Sequence, residues 1–158
     1  MTEKFMELAI KEAKKALLVD EVPIGAIIVK DGKVIARAFN LTESKQSATA
    51  HAEMLAIQKA CKKLKSWRLD GCELFVTLEP CAMCAGAIAG ARIDKVFFGA
   101  YEPKSGCAES LYPILSNSGL NHTVQFEGGI LKDKCSKMLK DYFKFKRTRE
   151  KKRKSIDY

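Results

Sequence analysis

Two short stretches constrain this chain more than anything else in it: Thr49-Ala50-His51-Ala52-Glu53 and Glu79-Pro80-Cys81-Ala82-Met83-Cys84. Together they offer one imidazole and two thiols, the donors zinc favours in a tetrahedral site. Structural zinc sites fill all four positions with protein, whereas catalytic ones supply three ligands and leave one for water. Three ligands, His51, Cys81 and Cys84, imply one zinc ion per chain and an acidified water, its pKa brought down to roughly 7. Glu53, two residues beyond His51, is a poor fourth ligand and a good proton carrier. A closed structural site remains the alternative. It needs a fourth ligand, for which His122 or one of Cys61, Cys72, Cys107 and Cys135 is the candidate. Either way, the fold must bring residues 51–53 and 81–84 together.

Each half alone is weak, because His-x-Glu is common and Cys-x-x-Cys has redox and packing uses as well. Pro80 sharpens the second half, since proline suits the start of a helix. Both thiols are then expected in the first turn of that helix, whose N-terminus favours thiolates.

The rest of the chain alternates helical and strand patterns. Apolar residues Phe5, Leu8, Ala9, Ala13, Ala16 and Leu17 predict a helix over 5–19. Runs at 24–29 and 34–39 flank Asp31-Gly32, a hairpin signal. Residues 41–48 read as a polar loop, followed by a helix over about 49–64 with His51 and Glu53 in its first turn. A strand is expected at 74–77, a short small-residue helix from 81, and a strand at 96–99. Residues 101–106 carry turn chemistry, 111–115 form a short helix, 122–126 a fifth strand, and 131 to about 148 the final helix. Strands interleaved with helices predict an α/β protein, with a three-layer α/β/α arrangement around a mixed five-stranded sheet.

At 158 residues the chain fits a single domain, 1–158, and can bury about two-thirds of its unfolded surface. No apolar run approaches the roughly 18 residues of a membrane helix. The amphipathic N-terminus does not read as a signal peptide. Six cysteines fit metal ligands and buried thiols in a cytoplasmic protein better than a disulfide framework. The net charge of +9 is concentrated at the C-terminus, about 131–158: residues 137–154 carry ten Lys and Arg against only Asp141 and Glu150. With Tyr142, Phe143 and Phe145 among them, a nucleic-acid partner outweighs a merely solvated helix end.

With these residues in view, the sequence resembles the cytidine and deoxycytidylate deaminase superfamily. Within it, the chain is similar to the bacterial tRNA-specific adenosine deaminases over nearly its whole length. The likeness includes Glu21-Val22-Pro23-Ile24-Gly25-Ala26, Thr77-Leu78 ahead of Glu79, Phe98-Gly99-Ala100 and Gly128-Gly129-Ile130-Leu131. It implies a cytidine-deaminase-like fold and zinc on His51, Cys81 and Cys84, with Glu53 as proton shuttle. Hydrolytic deamination of adenosine to inosine at the wobble position (34) of a tRNA anticodon loop follows from it. It further implies that Asn40 bonds the target base and that Glu102 and Lys104 touch neighbouring nucleotides. Tyr142, Phe143 and Lys146 would grip the anticodon stem-loop, and the enzyme would act as a homodimer. Glu102 and Tyr101 depart from the residues usual at those positions, which bears on substrate preference and not on the chemistry. A free nucleobase or nucleoside deaminase, acting on guanine or cytosine, is the alternative with the same metal chemistry; a non-catalytic zinc-stabilised RNA-binding module is a third.

Overall fold

The computed structural model describes residues 1–116 and 119–156, so the last two residues of the expected tail lie outside the described residues. Ten elements follow in order: α1 (Thr2–Leu17), β1 (Gly25–Lys30), β2 (Lys33–Phe39), α2 (Thr42–Lys45), α3 (Ala52–Leu64), β3 (Cys72–Leu78), α4 (Ala82–Gly90), β4 (Lys95–Ala100), β5 (Gln125–Glu127) and α5 (Lys132–Ile156). One sheet runs β2-β1-β3-β4-β5. Its β2–β1 and β1–β3 pairs are antiparallel, and β3–β4 and β4–β5 are parallel, so the sheet is mixed as expected. Asp31 and Gly32 both take positive φ, 51° and 75°, the primed-turn geometry that matches strand twist.

Strand alternation sorts the core into two faces. Ala26, Ile28, Leu74, Val76, Val96 and Phe98 point toward α3 and α4. Ile27, Val29, Phe75 and Phe97 point the other way, against Phe5, Met6, Ala9 and Ile10 of α1 and Cys135 of α5. Phe75 stacks on Phe97 with centroids 4.6 Å apart. These are the three layers. Gly25 is obligatory: a Cβ there would strike the α1 backbone at Ala9 and Ala13.

The register places the start of β1, the end of β2 and the ends of β3 and β4 along one edge of the sheet. The N-termini of α3 and α4 sit at this edge. In open α/β sheets the carboxyl ends of parallel strands are where ligands bind.

Several boundaries differ from expectation. Residues 42–45 form a helical turn, not a plain loop, because the buried Glu21 carboxylate accepts the Glu43 and Ser44 N–H groups (3.4 and 2.5 Å). Residues 111–115 are irregular; Pro113 breaks the run, and it packs through buried Leu115 without a helix. The fifth strand is limited to Gln125–Glu127. α5 continues to Ile156, past the expected end near 148, on an uninterrupted series of helix-forming Lys, Arg and Glu.

Candidate active site

His51 is the N-cap of α3 and Cys81 the N-cap of α4, both in extended conformation (φ −75°, ψ 152°; φ −76°, ψ 178°). Glu53 and Cys84 do lie in first turns, but the sequence reading began α3 at about residue 49 and α4 at Cys81 and so placed His51 and Cys81 inside their helices. The consequence is favourable, because a cap residue's side chain projects from the helix end, where unpaired backbone N–H groups and the dipole favour anions. His51 Nδ1 lies 3.6 Å from Cys81 Sγ and 3.5 Å from Cys84 Sγ. The three ligand atoms lie within 4.8 Å of one another, and no fourth His, Cys, Asp or Glu joins them among the described residues. His122 is engaged elsewhere, bonding the Ile93 carbonyl at 2.8 Å.

Contact with Cys84 pulls the Cys81 thiol down to about 4. The same contact, with burial, pushes Cys84 up. Metal ligation needs both sulfurs deprotonated, so binding a cation would release protons here. One nitrogen and two sulfurs suit zinc's preference.

Glu53 occupies the second position of α3 and is 4 % exposed. Burial lifts its carboxyl to about 7, against the pull of His51. It lines a cavity of about 550 Å³ together with His51 and Cys81. Val22, Ile24 and Leu78 supply apolar wall, and Tyr101, Glu102 and Ser105 border the opening from the segment after β4. The far wall is a stripe of α5: Ser136, Leu139, Lys140, Phe143 and Arg147.

Two further carboxylates, to which the sequence reading gave no role, hold the rim. Glu79 is 3 % exposed. It accepts the N–H groups of Glu102 (3.1 Å), Ala108 (3.2 Å), Glu109 (2.9 Å) and Ser110 (2.9 Å), and the Ser110 hydroxyl. Burial pushes its carboxyl up, but these donors outweigh it and hold it below its ordinary value. Gly106 is required beside it, since a Cβ would run into the Glu79 carboxylate. On the opposite rim, Glu21 fixes α2 as described. Its neighbour Asp20 accepts from Arg149 (2.9 Å) and from the Tyr142 hydroxyl (3.2 and 3.3 Å), both on α5. Val22, next along, is cavity wall. Apart from their place in the segments that carry the family resemblance, an acidic residue beside an apolar strand end is the sequence signal each carboxylate gives.

Of the remaining expected residues, Glu102 and Phe143 line the cavity, and Asn40, Lys104, Tyr142 and Lys146 do not. Asn40 is 6 % exposed, with its Oδ1 lacking any partner. Tyr142 is 6 % exposed and Lys146 stands 5.8 Å from its ring centre. The Tyr142 hydroxyl donates to Asp20, in the segment between α1 and β1, so the side chain that the resemblance assigns to the anticodon stem-loop is held against the protein itself. Lys140 and Arg147 are the cations of α5 that face the cavity.

Residues 2–147 match a family model described as MafB19-like deaminase. The chain is 50% identical over 149 residues to a tRNA-specific adenosine deaminase of Bacillus subtilis, covering 94% of this chain and 92% of that one. The chain belongs to the tRNA-specific adenosine deaminase family. A solved chain from work on A-to-I editing by tRNA:A34 deaminases superposes with TM-score 0.83 at 46% identity, covering 86% of this chain and 99% of that one. A guanine deaminase of Bacillus subtilis matches over less, 63% of this chain and 64% of that one, with TM-score 0.60 and 44% identity. Family membership makes this chain a deaminase, and the cavity is where the family's chemistry is sought.

Proposed function

We propose that this enzyme hydrolyses adenosine to inosine at the wobble position, 34, of a tRNA anticodon loop. The observation that carries the proposal is a buried Glu53 beside three metal donors, in a cavity whose far wall is the Lys140–Phe143–Arg147 stripe of α5. His51, Cys81 and Cys84 would hold one zinc ion, which when bound would supply Lewis acidity and bring the pKa of water to near neutrality.

The chain's own groups do the rest. Glu53, with a carboxyl near neutrality, takes a proton from the attacking water and passes it to the ring nitrogen beside C6. As the tetrahedral carbon collapses, Glu53 takes the proton of the new C6 hydroxyl and delivers it to the amino group; the C–N bond breaks, ammonia departs and the inosine carbonyl remains. Apolar Val22, Ile24 and Leu78 exclude bulk water around the base. The Asn40 amide oxygen is supported as a base-recognition group by its lack of any partner, since a buried acceptor left unpaired costs roughly 1–3 kcal/mol.

An anticodon loop suits such a cavity because its bases unstack at low cost. Lys140 and Arg147 supply phosphate contacts and Phe143, 41 % exposed, a stacking face. Glu102 and Lys104, joined by a 3.1 Å bond from the Lys104 N–H to the Glu102 carboxylate, serve the nucleotides flanking the target. Lys146, on the neighbouring face of α5, adds to the field along the backbone. A free guanine or cytosine has no phosphate to use these cations.

The enzyme works as a homodimer in this reading. α4 contains no polar side chain apart from its cysteine, yet Ala82, Gly86 and Gly90 form an exposed stripe along it. Among the described residues, nothing beyond the helix's own backbone stands within 4 Å of a Cβ built at Gly86 or Gly90, so no contact described within one copy asks for glycine there. A second copy packed closely on that stripe does. The cytoplasm, where tRNA is found, is the site of action; no described helix is long and apolar enough to cross a membrane.

The test is direct. Incubating the protein with total tRNA, adenosine, guanine and cytidine should yield inosine at position 34 and ammonia from tRNA alone. Ammonia from guanine or cytidine, with tRNA untouched, would transfer the assignment to the free-base alternative.

A further inference from the structure

The chain's one tryptophan is spent on the surface. Trp67 is 63 % exposed, in the turn between α3 and β3, although tryptophan is highly buried on average. The turn that carries it is firmly built. Lys65 takes a left-handed conformation (φ 53°), and the Ser66 hydroxyl closes on both the N–H and the carbonyl of Arg68 (3.1 and 3.0 Å). Leu69, fully buried, donates its N–H to the Ala91 carbonyl at 2.7 Å. The indole is therefore presented, not merely left outside.

Its surroundings are cationic. Lys59, Lys62 and Lys63 recur at the spacing that puts them on one face of α3, and all three are exposed, as is Lys65. None of the four has a carboxylate within 4 Å among the described residues, and the only acid on α3, Glu53, is buried at its other end. Arg68 stands 5.5 Å from the Trp67 ring centre and is neutralised by Asp70 at 2.9 Å, so it shapes the indole's setting more than it adds charge. Lysines near a helix C-terminus complement its dipole, which accounts for Lys62 and Lys63. It does not account for the exposed indole, while Lys59, a turn further back, donates its ammonium to the Arg37 carbonyl of β2 at 2.7 Å.

We infer that Trp67 with Lys59, Lys62, Lys63 and Lys65 forms a second RNA-contact surface. Lysines neutralise phosphates, and an exposed aromatic ring stacks on any base. The inference rests on the tRNA reading above and deepens it. α3 begins at His51 and runs about 20 Å before this turn, in the layer opposite α5. The surface thus meets a part of the RNA remote from the base held in the cavity.

Because Trp67 is the only tryptophan, its emission reports on this surface alone. Titration of the zinc-loaded enzyme with total tRNA should quench Trp67 with the same midpoint as the anisotropy of end-labelled tRNA. W67A should weaken tRNA binding roughly 5- to 100-fold at unchanged salt slope. The triple variant K62Q/K63Q/K65Q should flatten the slope of log K against log salt by about two to three. Turnover at saturating tRNA should stay at the wild-type rate in both. Labelled tRNA that binds while Trp67 stays silent, or variants that bind like wild type, would overturn the surface and leave the catalytic reading standing. Equal quenching by polyglutamate would overturn RNA as its partner. Wild-type protein that binds no tRNA at all would remove the functional reading with it.

Discussion

Glu53 and Glu79 are both buried carboxylates at one cavity, and their surroundings set them to opposite tasks. Glu53 accepts no bond strong enough to offset its burial, so its carboxyl rises to about 7 and can exchange protons at neutral pH. Replacing it by alanine should preserve fold and metal content while lowering inosine formation by at least about 10²–10⁴-fold, the usual contribution of general acid–base catalysis. Metal analysis beside a turnover assay checks this; a zinc-free E53A protein would mean the carboxylate is a ligand. Glu79 is instead saturated with donors and stays ionised. E79A leaves the N–H groups of Ala108, Glu109 and Ser110 without their acceptor, a loss of about 3 kcal/mol at 1–3 kcal/mol for each bond to a charged group, less what water recovers. A melting temperature lower by about 5–10 °C is expected, with faster amide exchange confined to residues 102–110.

At the scale of elements, α5 supplies the far wall of the cavity, and in the proposed function that wall holds the substrate. K140Q/R147Q should raise the Michaelis constant for an anticodon stem-loop and flatten its salt dependence, with kcat little changed, because these cations bind without touching the reacting atoms. F143A should weaken binding by about 1–3 kcal/mol at unchanged salt slope. Steady-state kinetics at two salt concentrations separates the two. Much of this helix was legible beforehand: its start, its charge and its aromatic content stand in the sequence. Which side faces the cavity was not, because Tyr142 and Phe143 are adjacent, and only the distant Asp20 decides that Tyr142 turns inward. The same limit explains α2, whose carboxylate cap comes from 22 residues upstream. The metal donors escaped this limit. Their chemistry is specific enough to name a site before any contact is known, although the N-cap positions of His51 and Cys81 follow from backbone geometry that periodicity cannot resolve.

For the whole molecule, the three-layer arrangement sets α3 and α4 side by side, so that His51, Cys81 and Cys84, from two helices far apart in sequence, converge within 4.8 Å of one another. The outer stripe of α4 bears on assembly. G86R should leave the isolated chain folded, since a Cβ there meets no described residue within 4 Å, and should convert a dimer into a monomer in sedimentation velocity at micromolar concentration. A variant that sediments like wild type would exclude this stripe from the interface.

Three consecutive residues between α1 and β1 carry a further implication. Asp20 reaches α5, Glu21 reaches α2 and Val22 enters the cavity, so each successive side chain serves a different part of the molecule. Connecting segments usually accept insertions and deletions. Here, adding or dropping a single residue would hand each task to the wrong side chain, so related chains should vary in composition at this turn but not in length.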